Sequence, residues 1–157
     1  YPMSEKLSLA LDGFDREKIR IANDANAAAL GELWQGGGKG ATSMALLTLG
    51  TGVGCGVIED GKLIVGSYGM AGECGHMIVN PDEPVACNCG GHGCLEQYAS
   101  ANGIVRMAKK AMASYEGVSS LSKFDPLTCK DVFACSAQGD MLASFVLFAN
   151  KAAKETK

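Results

Sequence analysis

The chain has 157 residues, enough for one domain or for parts of two. Apolar residues make up 47% and charged residues 20%, the balance of a globular protein, which excludes a disordered chain. A net charge of −3, with no basic cluster beyond Lys109-Lys110, gives no footing for nucleic acid.

No apolar run approaches the roughly 18–20 residues needed to cross a bilayer. The longest candidate, Met141 to Ala149, is short and broken by Ser144. Tyr1 to Lys6 lacks the apolar segment of a secretory signal. The chain opens without an initiator, and Lys151 to Lys157 stops within a helix-like run. Both ends therefore read as cuts in a longer polypeptide.

Lys18 to Ala22 is expected to form a short strand, with Ile19 and Ile21 on one face. Asn23 or Asp24 can cap an alanine-rich helix from Ala25 to about Trp34. Gly36-Gly37-Gly38 ends that helix and supplies a flexible boundary. Three strand-like runs follow: Ser43 to Leu49, Gly54 to Ile58 and Lys62 to Val65. Asp60-Gly61 between the last two is a strong hairpin signal. The middle of the chain thus reads as a meander with a glycine-rich first corner.

Gly66 to Asn88 is loop-rich. Leu95 to Ala113 reads as one helix, with Ile104, Val105, Ala108 and Met112 at helical spacing. Glu116 to Pro126 is a loop, and Thr128 can cap a short helix through Ala137. Gly139 breaks it. Asp140 starts a last helix expected to bury Leu142, Phe145, Val146 and Ala149, with its Met and Phe residues in the core. Strands with helices, and consecutive hairpin strands, indicate an α/β protein with a mixed sheet.

Seven cysteines are present, an odd number without the pattern of a disulfide framework, so a reducing cytoplasm is the expected compartment. Cys87, Cys89 and Cys94 form C-x-C-x4-C, with Gly90, Gly91 and Gly93 between the last two. Glycines allow the sharp turn that would aim these thiolates at one ion. Structural zinc takes four Cys or His ligands, so a fourth must come from elsewhere. His92 lies inside the cysteine loop and is constrained there. His76, in another segment, is the better candidate. Cys55, Cys74, Cys129 and Cys135 have no ligand-like spacing and read as small apolar residues, although Cys74 lies two residues before His76.

Four segments together carry a family pattern. Ala22 to Glu32 resembles N-D-A-N-x-A-A-x-G-E. Leu49 to Gly56 resembles L-G-T-G-x-G-x-G. Ala71 to His76 resembles A-G-E-x-G-H, and Cys87 to Glu96 resembles C-x-C-G-x-x-G-C-x-E. In this order and spacing they resemble the ROK sugar kinases, and the stretch from Tyr98 to Phe133 looks most like the glucokinases among them.

The resemblance implies the two-lobed actin-like ATPase (ribonuclease H-like) fold. Residues 1–40 would be the end of the first lobe, and residues 41–157 most of the larger second lobe. It implies ATP-dependent phosphorylation of glucose or a related hexose, with Mg²⁺. Asp24 would be the catalytic base. Asn23, Asp24, Glu73, His76 and Glu96 would bind the sugar. Gly50, Thr51, Gly52 and Gly54 would cradle phosphate, and His76, Cys87, Cys89 and Cys94 would hold a structural zinc.

A homodimer without membrane or nucleic-acid partners is expected. A D-x-G-G-T segment upstream and an adenosine-binding segment downstream belong to the family pattern and not to this chain. The isolated chain is therefore expected to be inactive. The alternative reading is a sugar-responsive repressor, which shares this module and its metal motif.

Overall fold

The computed structural model describes the backbone of residues 2–155 and the side chains of residues 2–149. The chain divides into two compact units. One holds the residues up to Leu46 with Gly56–Ile64, and the other holds Leu47–Cys55 with the residues from Val65 on.

In the first unit, helix α1 spans Met3–Ala10 and buries none of its residues. A single 3-10 turn covers Arg16–Lys18. The strand expected over Lys18 to Ala22 does not form. Ile19 is extended, but no ladder partner meets it among the described residues, and Ile21 is exposed. Extended backbone becomes a strand only where another strand takes its hydrogen bonds.

Helix α2 spans Asp24–Gln35 and is capped as expected. The Asn23 side chain accepts from the N–H groups of Ala25 and Asn26. Ala25 and Ala29 are buried. A Cβ at Gly56 would come within 2.6 Å of the Ala29 Cβ and 2.8 Å of the Ala25 carbonyl oxygen. Small residues on both sides let helix and strand meet at backbone distance.

Strands β1 (Met44–Leu49), β2 (Val53–Glu59) and β3 (Lys62–Leu63) form one sheet in the order β1-β2-β3. β2 and β3 pair antiparallel, with Glu59 opposite Lys62. The hairpin closes at Asp60 (φ 50°) and Gly61 (φ 72°), the left-handed pair that a two-residue turn requires. β3 is shorter than expected: the ladder stops at Leu63. Among the described residues the α/β class expected from the sequence stands, with a small sheet whose β2–β3 pair is antiparallel.

The second unit is built on helices. The helix expected over Leu95 to Ala113 is two helices, α3 (Glu96–Ala99) and α4 (Ala101–Ser114). Ser100 breaks it. Its backbone is extended, and its hydroxyl accepts the Gly103 N–H, restarting the helix at a new cap. Gly103 permits the tight corner, because a Cβ there would lie 2.5 Å from the Gln97 carbonyl oxygen.

Helix α5 (Cys129–Ala137) starts at a capping box between Thr128 and Asp131. The loop before it contains a 3-10 turn over Ser120–Lys123. Helix α6 (Met141–Glu155) begins at Asp140, which accepts the Ala143 N–H. The core lies among α4, α5 and α6, centred on Ile104, Ala108, Leu121, Val132, Ala143 and Val146.

The last helix is rotated from its expected register. Leu142, Ala143 and Val146 are buried, Ala149 is half-buried, and Phe145 is 62% exposed. Met141 and Phe148 also face outward rather than into the core. Ala143 belongs to the buried core with residues of α4 and α5, and the Ser144 hydroxyl lies 3.0 Å from that of Ser136 on α5. Among the described residues no single helix is long and apolar enough to cross a membrane.

One buried ion pair fixes the loop before α3 to α4. Glu83 is 6% exposed, and its oxygens accept from Arg106 Nη1 and Nη2 at 3.1 Å each. The Tyr98 hydroxyl also donates to Glu83, and Asn80 Nδ2 donates to that hydroxyl at 2.9 Å. The Arg106 guanidinium, helped by Tyr98, holds the Glu83 carboxyl down at about 2.

A depressed carboxyl stabilises the fold fully above its unfolded value. The contribution is lost as pH falls from about 4.5 towards about 2. The urea midpoint should therefore drop across that window. Arg106→Leu should lower stability at neutral pH by about 3–5 kcal/mol, since it strands a buried charge. A midpoint that does not change between pH 5 and pH 2.5 would remove the ion pair from this role.

Candidate sugar and metal site

The C-x-C-x4-C segment folds as a small hairpin. Ala86 bridges His92, and Ile78 bridges Cys94. The Cys87 N–H donates to the Gly91 carbonyl at 2.7 Å, and the Gly90 N–H to the Cys87 carbonyl at 2.9 Å. Gly90 and Gly93 both have left-handed φ (88° and 70°). At Gly93 a Cβ would overlap the Asn80 carbonyl oxygen, at 1.7 Å. Gln97 clamps the two arms: its Oε1 accepts the Cys94 N–H at 3.1 Å, and its Nε2 donates to the Val85 carbonyl at 2.8 Å.

This folding gathers one donor atom each from His76, Cys87, Cys89 and Cys94 within 4.8 Å of one another. Cys87 Sγ lies 3.8 Å from His76 Nδ1, and Cys89 Sγ lies 3.6 Å from Cys94 Sγ. A tetrahedral ion with metal–sulfur bonds of about 2.3 Å needs sulfur pairs about 3.8 Å apart. The donor set and its spacing fit zinc. His92 is turned elsewhere, with its Nδ1 3.0 Å from the Glu83 carbonyl oxygen.

Burial, reinforced by the neighbouring sulfurs of Cys89 and Cys87, pushes the Cys94 thiol up to about 12. The Gly91 N–H, 3.5 Å from the Cys89 sulfur, lowers the Cys89 thiol. A bound divalent ion would favour the thiolate form of its cysteine ligands.

The sugar candidates fall into the two units. In the first, Asn23 caps α2 and Asp24 is its exposed first residue. The Asp24 Oδ1 accepts the Ala25 N–H at 2.9 Å. In the second, Glu73 and His76 share one 3-10 turn, where the His76 N–H donates to the Glu73 carbonyl at 3.0 Å. Gly75 sits inside that turn, and a Cβ there would meet the Val53 carbonyl oxygen at 2.2 Å. The Glu73–His76 turn is therefore pressed onto the start of β2.

Gly50, Thr51 and Gly52 form the turn between β1 and β2, and Gly54 lies in β2. None of these glycines has a left-handed φ. The Gly50 N–H donates to the Gly52 carbonyl at 3.0 Å. The Val53 N–H donates to Glu96 Oε2 at 2.9 Å, and the Ala101 N–H to the Gly50 carbonyl at 2.9 Å. Glu96 and Thr51 line one cavity together with Asn88, Asn102 and Arg106.

Sequence reasoning missed the Gln97 clamp, the Glu83–Arg106 pair and the bond from Glu96 to the turn. Gln97 and Glu83 lie beside the motifs, but nothing in their spacing marks a partner 12 or 23 positions away.

The sequence pattern of the ROK family matches residues 2–155. The chain is 42% identical over 150 residues to a glucokinase of Halalkalibacterium halodurans, a match covering 94% of this chain and 44% of that protein. It is 44% identical over 92 residues to a xylose repressor of Caldicellulosiruptor bescii, covering 59% of this chain and 23% of the repressor. Among solved structures it resembles a ROK family glucokinase from Streptomyces griseus in complex with glucose and AMPPNP. That match has a TM-score of 0.74 at 36% identity and covers 92% of this chain and 47% of the other. The fold is thus the actin-like ATPase fold, and the chain spans about half the length of the relatives it matches.

Purified from zinc-containing medium, the chain should carry about one equivalent of zinc, as a four-donor site requires. His76→Ala and Cys94→Ser should lose that metal and melt at lower temperature, whereas His92→Ala should keep it. Elemental analysis with thermal melting decides. Metal lost from His92→Ala and retained in His76→Ala would reverse the ligand assignment.

Proposed function

This chain belongs to the ROK family, and from that membership we propose that the whole protein is a hexose kinase that transfers the ATP γ-phosphoryl group to the 6-hydroxyl of glucose. The observation that carries the reading is the arrangement of the second unit. There the Glu73–His76 turn, the four-donor cluster and the glycine turn converge through Cys94 and Glu96. The two glucokinase relatives support glucose and ATP as the substrate pair.

In this reading Asp24 accepts the proton of the sugar 6-hydroxyl as that oxygen attacks the γ-phosphorus. The bond to the β,γ-bridging oxygen breaks and ADP leaves, and Mg²⁺, when bound, would offset the charge on the phosphates. Asn23, Glu73, His76 and Glu96 hold the sugar hydroxyls, which lets the site reject analogues lacking them. Because His76 Nδ1 faces the Cys87 sulfur, Nε2 is the ring atom left to meet a hydroxyl. Zinc, when bound, would fix the His76 tautomer and ionise the thiols. Thr51 and the glycine turn receive the phosphates. Self-association into a homodimer is part of this reading, and the 157-residue chain alone is inactive in it.

The likeness to a xylose repressor favours one second reading, a sugar-responsive transcriptional regulator in which the same pocket only recognises sugar.

A coupled assay of the whole protein with ATP and a panel of hexoses separates the two. Glucose should be turned over, and Asp24→Asn should lower kcat by about 10²–10⁴-fold, the range of general-base catalysis, while sugar binding persists. A near-normal rate in Asp24→Asn would remove Asp24 as the base. Hexose binding with no turnover of any sugar would establish the regulator instead.

A further inference from the structure

Glu96 stands between the cysteine hairpin and the glycine turn, and the two residues before it are already fixed. Cys94, two residues before it, is a buried member of the four-donor cluster, and the Leu95 N–H donates to the Met77 carbonyl at 2.8 Å. Its own carboxylate reaches across to the turn. Oε2 takes the Val53 N–H at 2.9 Å and lies 2.4 Å from where a Gly52 Cβ would be, while Oε1 is 4.0 Å from that point. Five residues on, the Ala101 N–H takes the Gly50 carbonyl at 2.9 Å. The turn is thus bonded on both sides of its tip to a single segment, residues 96–101.

This contact narrows what the turn can offer an anion. The Gly50 N–H is used within the turn and the Val53 N–H is used by Glu96. The backbone donors of Thr51 and Gly52 remain without an intramolecular acceptor among the described residues. Gly52 is not required for its φ; it is required because the carboxylate lies against it.

We propose that Glu96 is a positioning residue that couples the two substrates, one carboxylate oxygen holding the phosphate-receiving turn through Val53 while the other takes a sugar hydroxyl. The proposal rests on the hexose-kinase reading above. A hydroxyl donating to Oε1 fixes the plane of the carboxylate. That plane sets Oε2, and Oε2 sets the turn. Coupling of this kind is reciprocal, so a change confined to the turn weakens the sugar as well as the nucleotide.

Three variants of the whole protein test this. Gly52→Ala places a methyl 2.4 Å from Oε2, too close for both, and displaces the carboxylate. Hexose affinity, measured by calorimetry without nucleotide, should fall about tenfold, the size of a hydrogen bond to a charged group. Glu96→Ala should raise the KM of both hexose and ATP. Glu96→Gln keeps an acceptor for the Val53 N–H, so it should raise the hexose KM while the ATP KM stays within about twofold of the starting protein.

Gly52→Ala with unchanged hexose affinity overturns the coupling. So does Glu96→Gln that raises the ATP KM as far as Glu96→Ala does, a comparison that stands even where Gly52→Ala misfolds. A starting protein that neither binds nor phosphorylates any hexose sinks the kinase reading and the coupling with it. An active starting protein with uncoupled variants sinks the coupling alone.

Discussion

Three consecutive residues, Cys94 to Glu96, tie together the parts of the second unit that matter for chemistry. Cys94 contributes a buried sulfur to the donor cluster, the Leu95 N–H holds the Met77 carbonyl just after His76, and Glu96 holds the glycine turn. Further contacts hold this segment from both flanks. Gln97 closes the hairpin behind it, and Ser100 ends α3 so that Ala101 can turn back onto Gly50.

The electrostatics of this unit are arranged by burial. Glu83 is out of solvent and would be strongly destabilising alone. The two-pronged Arg106, the Tyr98 hydroxyl and the Val85 N–H satisfy it, and the pair links the approach to the hairpin with α4. The Cys94 thiol is buried without such a partner and is pushed towards its neutral form. A divalent cation, where bound at the cluster, would play for the thiols the part that Arg106 plays for Glu83.

Local signals were legible wherever one or two residues decide the backbone. Asn23 caps α2, Asp60-Gly61 turns the hairpin, and Thr128 with Asp131 opens α5, each through contacts within three residues. The cysteine spacing likewise foretold a cluster. The misreadings are all non-local. Lys18 to Ala22 has strand composition, yet pairing depends on a partner that the segment does not specify. Ser100 looks like an ordinary residue in an apolar helix, and it breaks that helix because the Ala101 N–H is taken by Gly50, 51 positions away. On α6, helical periodicity gave an apolar stripe, but Ala143 rather than Phe145 meets the core, a choice of face made by the packed partners and not by the helix itself. Asp24 and Glu73 carry no local mark of function beyond the family pattern, since each is an exposed carboxylate at the start of a helical turn.

The glycines of this chain show why a motif and its physical cause need separating. Gly61, Gly90 and Gly93 are needed for left-handed backbone, whereas Gly52, Gly56 and Gly75 have ordinary φ and are needed for space. At each of these three, a side chain would strike an oxygen or a methyl belonging to another segment: Glu96 at Gly52, α2 at Gly56, and the Val53 carbonyl at Gly75. A glycine-rich turn between two strands is ordinarily read as an open cradle for phosphate. Here one of its glycines is already occupied by a carboxylate from within the protein. An anion arriving at Thr51 would meet that carboxylate nearby. In the kinase reading proposed above, a sugar hydroxyl donating to Glu96 and a cation accompanying the phosphates would offset its charge.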